Sequence, residues 1–133
     1  MPGVVADTHA TLWYLARDSR LSLTARDTMQ RIVRNGDPIF VASISIVELT
    51  YLVEKGRLPA KALQTSRDAL ADLSFGLVPV PLDLRVADSL RRISRTDVPD
   101  LPDRVIAATA LSLDVPLVTR DGKIRSSDIQ TIW

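Results

Sequence analysis

Residues 100–121 read DLPDRVIAATALSLDVPLVTRD, a stretch that predicts a helix, a tight turn and a short buried strand. Pro102 suits the first turn of a helix, because its missing N–H would have no partner there. Asp103 lies in the same turn and is favoured by the positive end of the helix dipole. Pro116 disfavours helical geometry in the residue before it, so the helix ends there. Residues 117–119, Leu-Val-Thr, are then predicted to form a strand. One acid therefore opens a helix, and a second, Asp121, follows a strand.

The rest of the chain repeats this alternation of strand and helix. The predicted strands are residues 3–6, 39–42, 77–80, 117–119 and 129–132. The other predicted helices are residues 9–16, from Ser22 or Thr24 to 35, from Ser43 or Ser45 to 56, 60–73 and 86–93. This order predicts an α/β fold with a mainly parallel sheet and helices on both faces. A proline within the third strand indicates a sheet edge or a strand end.

Composition sets the broad class of the protein. A chain of 133 residues, 46% hydrophobic and 25% charged, is expected to form one soluble domain over residues 1–133. The lack of cysteine excludes disulfides, thiolate metal sites and a cysteine nucleophile, and it suits the cytoplasm. No segment has the length and apolarity of a signal peptide or a membrane span, so we expect a cytoplasmic protein without a membrane partner.

The net charge of +1 does not by itself indicate a nucleic-acid-binding protein. Arginine supplies 14 of the 17 basic residues, and aspartate supplies 14 of the 16 acids. Arginine has a planar fork suited to phosphate, and aspartate suits hard metal ions. A GC-rich genome explains the arginine content equally well.

Four acids stand where segments of an α/β sheet can converge. Asp7 ends the first strand, Asp121 follows the fourth, Asp103 opens a helix, and Glu48 lies one turn into the helix after the second strand. Ligand crevices form at the carboxyl ends of parallel strands. Taken singly, each aspartate has an ordinary explanation. Asp7 fits a helix N-cap, Asp103 fits a first-turn acid, and Asp121 fits a turn residue. Glu48 is harder to explain in this way, because an unpaired charge among apolar residues is costly.

Four carboxylates without histidine or cysteine form a hard-oxygen ligand set, which suits Mg²⁺ or Mn²⁺ rather than zinc or copper. Their mutual repulsion is relieved by a divalent cation or by raised pKa values. Such a cation acidifies water and stabilises charge on a phosphoryl oxygen. The set therefore favours hydrolysis of a phosphodiester without a covalent enzyme intermediate.

Five segments carry a family resemblance. They are VVADTHATLWYL at 4–15, SISIVELTYLVEKGRL at 43–58, PDRVIAATAL at 102–111, LVTRD at 117–121 and TIW at 131–133. With these segments in this order, the sequence resembles PIN-domain ribonucleases over essentially its whole length, and specifically the VapC-type toxins of bacterial toxin–antitoxin pairs.

The resemblance implies a Mg²⁺-dependent endoribonuclease toxin, with Mn²⁺ able to substitute, that hydrolyses RNA by a metal-activated water. It implies that Asp7, Glu48, Asp103 and Asp121 are the metal-binding catalytic acids and that Thr119 helps to shape the site. It further implies a three-layer α/β/α sandwich, an RNA substrate, a small cognate antitoxin and a homodimer.

The sequence departs from the family pattern at residues 100–104. Many relatives have Asp-Pro-Phe-Asp-Arg where this chain has Asp-Leu-Pro-Asp-Arg. Asp103 keeps its place, but the moved proline leaves Asp100 either as an extra ligand or as a loop acid. We expect a loop acid outside the site.

Basic and aromatic residues add further hypotheses. Seven basic residues are candidates to frame an RNA groove by phosphate contact, namely Arg91, Arg92, Arg95, Arg104, Arg120, Lys123 and Arg125. A solvated helix face explains the first three almost equally well. We expect His9, the only histidine, to be an ordinary first-turn helix residue and Trp13 to be a core residue.

Two other functions stay open at this stage. A PIN-like fold that binds RNA or a partner without catalysis would have the same architecture. Phosphoryl transfer to an aspartate is less favoured, because Asp7-Thr8-His9 lacks the second aspartate expected two positions on in such phosphatases. A receiver domain is disfavoured because no lysine follows a late strand at the required spacing.

Overall fold

The computed structural model describes residues 2–125 and 127–133, and its centre is a five-stranded, fully parallel sheet. The strands lie in the order β3-β2-β1-β4-β5. Their bounds are Val4–Ala6 (β1), Ile39–Ala42 (β2), Leu77–Val80 (β3), Leu117–Val118 (β4) and Thr131–Ile132 (β5). The predicted parallel sheet is confirmed, and Pro79 lies in an edge strand as expected. The last strand is shorter than predicted, because the Ile129 N–H donates to the Ser127 hydroxyl in a turn instead of joining the sheet.

Helices connect and flank these strands. They are Thr8–Ala16 (α1), Leu23–Arg34 (α2), Ser43–Glu54 (α3), Ala60–Ala71 (α4), Leu84–Ser89 (α5), Leu101–Leu113 (α6) and Gly122–Arg125 (α7). Two 3₁₀ turns follow α4 and α5, at Leu73–Phe75 and Leu90–Arg92.

Local capping accounts for the differences from the predicted helix bounds. α4 ends before residue 73 because the Asp72 side chain accepts a hydrogen bond from Ser74 N and starts a new turn. α5 begins earlier than predicted because Asp83 caps it, accepting from Val86 N at 3.1 Å. The short helix α7 was not predicted, since the Asp-Gly pair at its start indicated only a turn.

Helices cover both faces of the sheet and make three layers, as expected. Successive residues of β1 point to opposite faces, so Val5 joins one buried cluster while Val4 and Ala6 join another. The first cluster packs under α5 and α6, and the second under α1, α2 and α4. Trp13 is a core residue as predicted, with a relative exposure of 3%. Within the described residues, no helix is long and apolar enough to span a bilayer.

The central position of β1 determines where the acids meet. β1 pairs with β2 on one side and with β4 on the other. At its carboxyl end, Asp7 N donates to Val118 O at 3.1 Å, which holds Asp7 beside the end of β4. The same edge of the sheet therefore carries Asp7, the residues after β4 and the start of α3.

Gly3 controls the close approach of β1 and β2, and its substitution should destabilise the fold. Gly3 has a φ of +108°, and a Cβ there would lie 2.5 Å from Pro38 O. We expect Gly3→Ala to cost roughly 3–4 kcal/mol of unfolding free energy in urea titrations, from backbone strain and overpacking together. Gly36→Ala is the matched control, because Gly36 also has a positive φ, +78°, but nothing within 4 Å of an added Cβ. It should cost only about 1–2 kcal/mol, and equal losses in the two variants would contradict this explanation.

Candidate metal centre

A cavity of about 410 Å³ opens at the carboxyl edge of the sheet. It collects all four predicted acids, although they come from distant parts of the chain. Its lining residues are Asp7, Thr8, His9, Trp13, Glu48, Asp100, Asp103, Arg120 and Asp121.

Asp7 joins the sheet to the first helix at the floor of this cavity. It is the N-cap of α1, and its Oδ1 accepts a hydrogen bond from Ala10 N at 2.8 Å. A second hydrogen bond comes from the side chain of Thr119, a fully buried residue just after β4. Burial nevertheless raises the pKa of Asp7 above its usual value, and the two hydrogen bonds only partly offset that effect.

Glu48 reaches the cavity from α3 and is held by two hydroxyl residues. The buried Thr8 donates a hydrogen bond from its hydroxyl to Glu48 Oε1 at 2.5 Å. The Ser45 hydroxyl, also buried, lies 3.1 Å from Thr8 Oγ1 and completes the chain of contacts. Burial raises the pKa of Glu48, and the nearby carboxylates Asp100 and Asp7 raise it further. The predicted desolvation of Glu48 is confirmed.

The roles of Thr8 and Ser45 in holding Glu48 were not predicted from the sequence. Two signals pointed to it. Thr8 directly follows a candidate ligand, and Ser45 stands three residues before Glu48, which is the spacing of neighbours on one helix face.

Asp103 lies in the first turn of α6, as predicted, and the pKa of its carboxyl is strongly raised. Burial raises its pKa to about 7, with further contributions from the charges of Asp100 and Asp121. In its protonated form the Asp103 carboxyl donates a hydrogen bond to Asp121. Asp103 is therefore partly protonated near neutral pH when no cation is bound.

The expectation that Asp100 is a loop acid outside the site is wrong. Asp100 is the N-cap of α6, and its Oδ2 accepts from Asp103 N at 3.1 Å. That bond turns its carboxylate toward the cavity, where oxygens of Glu48, Asp100 and Asp103 all lie within 4.8 Å of one another. The sequence signal for this arrangement is the spacing of the two acids, because Asp103 stands three residues after Asp100, as the third helical residue does after an N-cap.

Asp121 closes the cavity from the end of β4. Its backbone N–H donates to Thr119 Oγ1 at 3.1 Å, and its Oδ1 accepts from Lys123 N at 2.8 Å. The second bond starts α7. Thr119 thus contacts both Asp7 and Asp121 and fixes their relative positions.

Of the seven basic residues proposed to frame a groove, only Arg120 lines the cavity. Arg104 instead turns inward, and its Nη2 donates to Leu90 O at 3.0 Å and to Ile93 O at 2.9 Å. The guanidinium of Arg104 therefore caps the 3₁₀ turn after α5, and the hypothesis that it frames this cavity is wrong. The remaining five are exposed and lie outside the cavity lining, namely Arg91, Arg92, Arg95, Lys123 and Arg125.

The donor chemistry of the cavity fits a hard divalent cation. The five acids offer only carboxylate oxygens, which Mg²⁺ and Mn²⁺ prefer. Burial raises the pKa values of Asp7, Glu48 and Asp103, and neighbouring carboxylates add smaller contributions that the hydrogen bonds do not fully offset. A bound cation would counteract this effect and keep the carboxylates ionised. The three residues best placed to hold it are Glu48, Asp100 and Asp103.

Comparisons with known proteins agree with this architecture. A family model described as PIN domain matches residues 4–129. Ribonuclease VapC22 of Mycobacterium tuberculosis is 31% identical over 126 residues, which cover 95% of this chain and 92% of that protein.

Solved structures share the fold at low sequence identity. VapBC2 of Rickettsia felis, bound to a DNA fragment from its promoter, has a TM-score of 0.69 at 19% identity, covering 97% of this chain and 96% of that one. A toxin–antitoxin complex from Klebsiella pneumoniae has a TM-score of 0.69 at 19% identity, with coverage of 98% and 96%. FitAcB of Neisseria gonorrhoeae has a TM-score of 0.59 at 18% identity, with coverage of 96% and 95%.

The raised pKa of Asp103 should make the metal-free protein less stable at high pH. The folded state keeps this proton up to about pH 7, whereas the unfolded chain loses it near the ordinary aspartate pKa of 3.8. Between these values the unfolded state binds fewer protons, so the unfolding free energy falls as pH rises. In EDTA, Asp103→Asn should therefore be roughly 1–3 kcal/mol more stable than the native chain at pH 8, and the gain should vanish near pH 4.

Thermal or urea unfolding at several pH values measures this difference. Asp27→Asn, at an exposed position of α2, is the control and should leave the pH profile unchanged. An Asp103→Asn variant that is no more stable at pH 8 than the native chain would argue against charge crowding at this carboxyl.

Proposed function

The chain belongs to the PIN domain family, and from that premise we propose that it is a metal-dependent endoribonuclease, the VapC-type toxin of a toxin–antitoxin pair. The observation that carries the proposal is the convergence of Asp7, Glu48, Asp103 and Asp121, with Asp100, on one cavity. The similarity to ribonuclease VapC22 supports RNA as the substrate.

The carboxylates have distinct parts in this proposal. Glu48, Asp100 and Asp103 would hold a Mg²⁺ ion, for which Mn²⁺ would substitute, and Asp7 and Asp121 would complete the site beside it. When bound, the ion supplies positive charge that polarises the phosphodiester and lowers the pKa of water. Thr8 and Thr119 keep Glu48 and Asp7 in place through their hydroxyls. Such outer hydrogen bonds orient ligands and contribute to metal affinity.

The raised pKa of Asp103, about 7, determines when this residue can act as a ligand. A carboxylate must be ionised to bind a metal, so Asp103 would hold a cation only in its deprotonated form. The ionised carboxylates of the cavity would then orient water toward a phosphate. No covalent intermediate on the chain is needed for this hydrolysis.

A VapC-type toxin is expected to have a protein partner, its antitoxin. The structural neighbour from Klebsiella pneumoniae is a toxin–antitoxin complex, which supports a small antitoxin protein as the partner of this chain. We further propose that residues 1–133 act as one PIN domain, that the protein is cytoplasmic and that it forms a homodimer.

Removal of a carboxylate should abolish RNA cleavage. We expect purified protein to cleave single-stranded RNA with Mg²⁺ or Mn²⁺, and Asp7→Asn and Asp103→Asn to lose at least roughly 100-fold in rate. Asparagine retains the N-cap role at Asp7, so a loss there reports on charge rather than on helix capping. EDTA should stop the reaction, and Asp27→Asn should cleave normally. Full activity in both site variants would refute the assignment.

Asp100 should contribute to cation affinity. Asp100→Asn preserves the α6 cap but removes one carboxylate charge, so Mn²⁺ should bind about tenfold more weakly with little change in stability. Calorimetric titration measures this affinity. Asp83→Asn is the matched control, because Asp83 caps α5 in the same way but lies outside the cavity. Equal Mn²⁺ affinity in the two variants would exclude Asp100 from the site, and no Mn²⁺ binding by the native chain would favour a non-catalytic binding module.

A further inference from the structure

Trp13 forms an aromatic platform on one side of the metal cavity. It lines the cavity although its side chain is almost fully buried. Its ring packs at an edge-to-face angle against Trp133, with the centroids 6.1 Å apart, and at 5.4 Å from His9. The indole Nε1 has no hydrogen-bond partner within the described residues, so ring packing alone holds this platform.

Arg120 lies over this platform with its hydrogen-bond donors available. Its guanidinium carbon is 4.5 Å from the centre of the Trp13 ring, which is a cation–π distance. Across residues 2–125 and 127–133, no hydrogen bond or salt bridge to the Arg120 side chain is found, and the residue is exposed at the cavity. The contact therefore holds the guanidinium over the ring without using its five N–H groups.

A second arginine, Arg20, also contacts the Trp13 ring and serves as a comparison for Arg120. Its guanidinium carbon lies 5.2 Å from the centre of the Trp13 ring. Unlike Arg120, it is engaged by Asp18, with Nη2 to Oδ2 at 2.7 Å and Nε to Oδ1 at 3.0 Å. Arg20 also lies outside the cavity lining. Of the two arginines on Trp13, only Arg120 has both a free donor face and a place beside the acids.

The position of Arg120 in an otherwise acidic cavity indicates an anionic ligand. A strand of RNA must bring phosphates close to five carboxylates, which repel it when no cation is bound. A guanidinium at the rim offsets that repulsion and offers a planar fork that matches two phosphate oxygens. Its stacking on Trp13 reduces the side-chain entropy lost when the phosphate binds.

We propose that Arg120, held by stacking on Trp13, is a substrate-binding residue that contacts a backbone phosphate of the RNA strand entering the acidic cavity. This inference rests on the proposed ribonuclease function and adds the means by which the site holds its substrate. Because the contact is to the phosphate, it applies to RNA of any sequence.

The test measures RNA binding separately from cleavage. A short fluorescein-labelled single-stranded RNA of mixed sequence is titrated with the full chain in EDTA, where no cleavage occurs, at several salt concentrations. Arg120→Ala should weaken binding roughly tenfold and reduce the slope of log affinity against log salt by about 0.7, the change expected for one lost phosphate contact on a single strand. Arg120→Lys should restore the slope but not the full affinity, because lysine keeps the charge and lacks the fork.

Arg20→Ala is the matched control, since it removes an arginine from the same ring outside the cavity. It should leave the RNA affinity and the salt slope unchanged, and circular dichroism should show that all three variants are folded. Equal binding by Arg120→Ala and the native chain, or an equal loss in Arg20→Ala, would overturn the proposal.

The outcomes also separate this inference from the ribonuclease assignment. If the native chain cleaves RNA with Mn²⁺ but Arg120→Ala binds RNA normally, only the Arg120 proposal fails. If Arg120→Ala lowers RNA affinity while the native chain never cleaves, the ribonuclease assignment fails and the phosphate contact stands. A native chain that binds no RNA in EDTA would overturn the Arg120 proposal, with cleavage assays still deciding the other.

Discussion

The burial of several carboxylates at one edge of the sheet is the constraint on which the rest of this site depends. Asp7, Glu48 and Asp103 all have raised pKa values, with burial as the largest cause. The surrounding structure compensates with groups that stabilise negative charge, namely the N-terminal ends of α1 and α6 and the hydroxyls of threonines. This compensation is incomplete, because the pKa values of these three acids stay above their usual range. The burial of the carboxylates therefore lowers the stability of the fold, and a cost of this kind is common at functional sites.

The architecture was predictable because short apolar strands and capped helices alternate along the chain. The four acids could be placed at one edge, since each stands at a strand end or in a first helical turn. The directions in which side chains point could not be predicted from the sequence. Arg104 follows Asp103 directly, yet its guanidinium turns to the carbonyls of Leu90 and Ile93. Those carbonyls come from a 3₁₀ turn whose position depends on tertiary packing.

The error on Asp100 has a different cause. The spacing of Asp100 and Asp103 is that of a helix cap, whereas the displaced proline favoured a loop. Pro102 is tolerated inside the first turn because its nitrogen carries no N–H, and α6 begins at Leu101. Asp100 is therefore the cap of α6, and its carboxylate lines the cavity.

The parallel pairing of β1 with β4 has a consequence for folding during synthesis. Thr119 and Asp121 follow Asp7 in the chain only after β2, β3 and β4. The hydrogen bonds that join Asp7 to Val118 and Thr119 form only when β4 docks against β1. A nascent chain that stops before β4 lacks Asp121 and the hydroxyl that orients Asp7, however well its earlier elements have folded. During synthesis, the acids of the cavity can therefore come together only after β4 and Asp121 have been made.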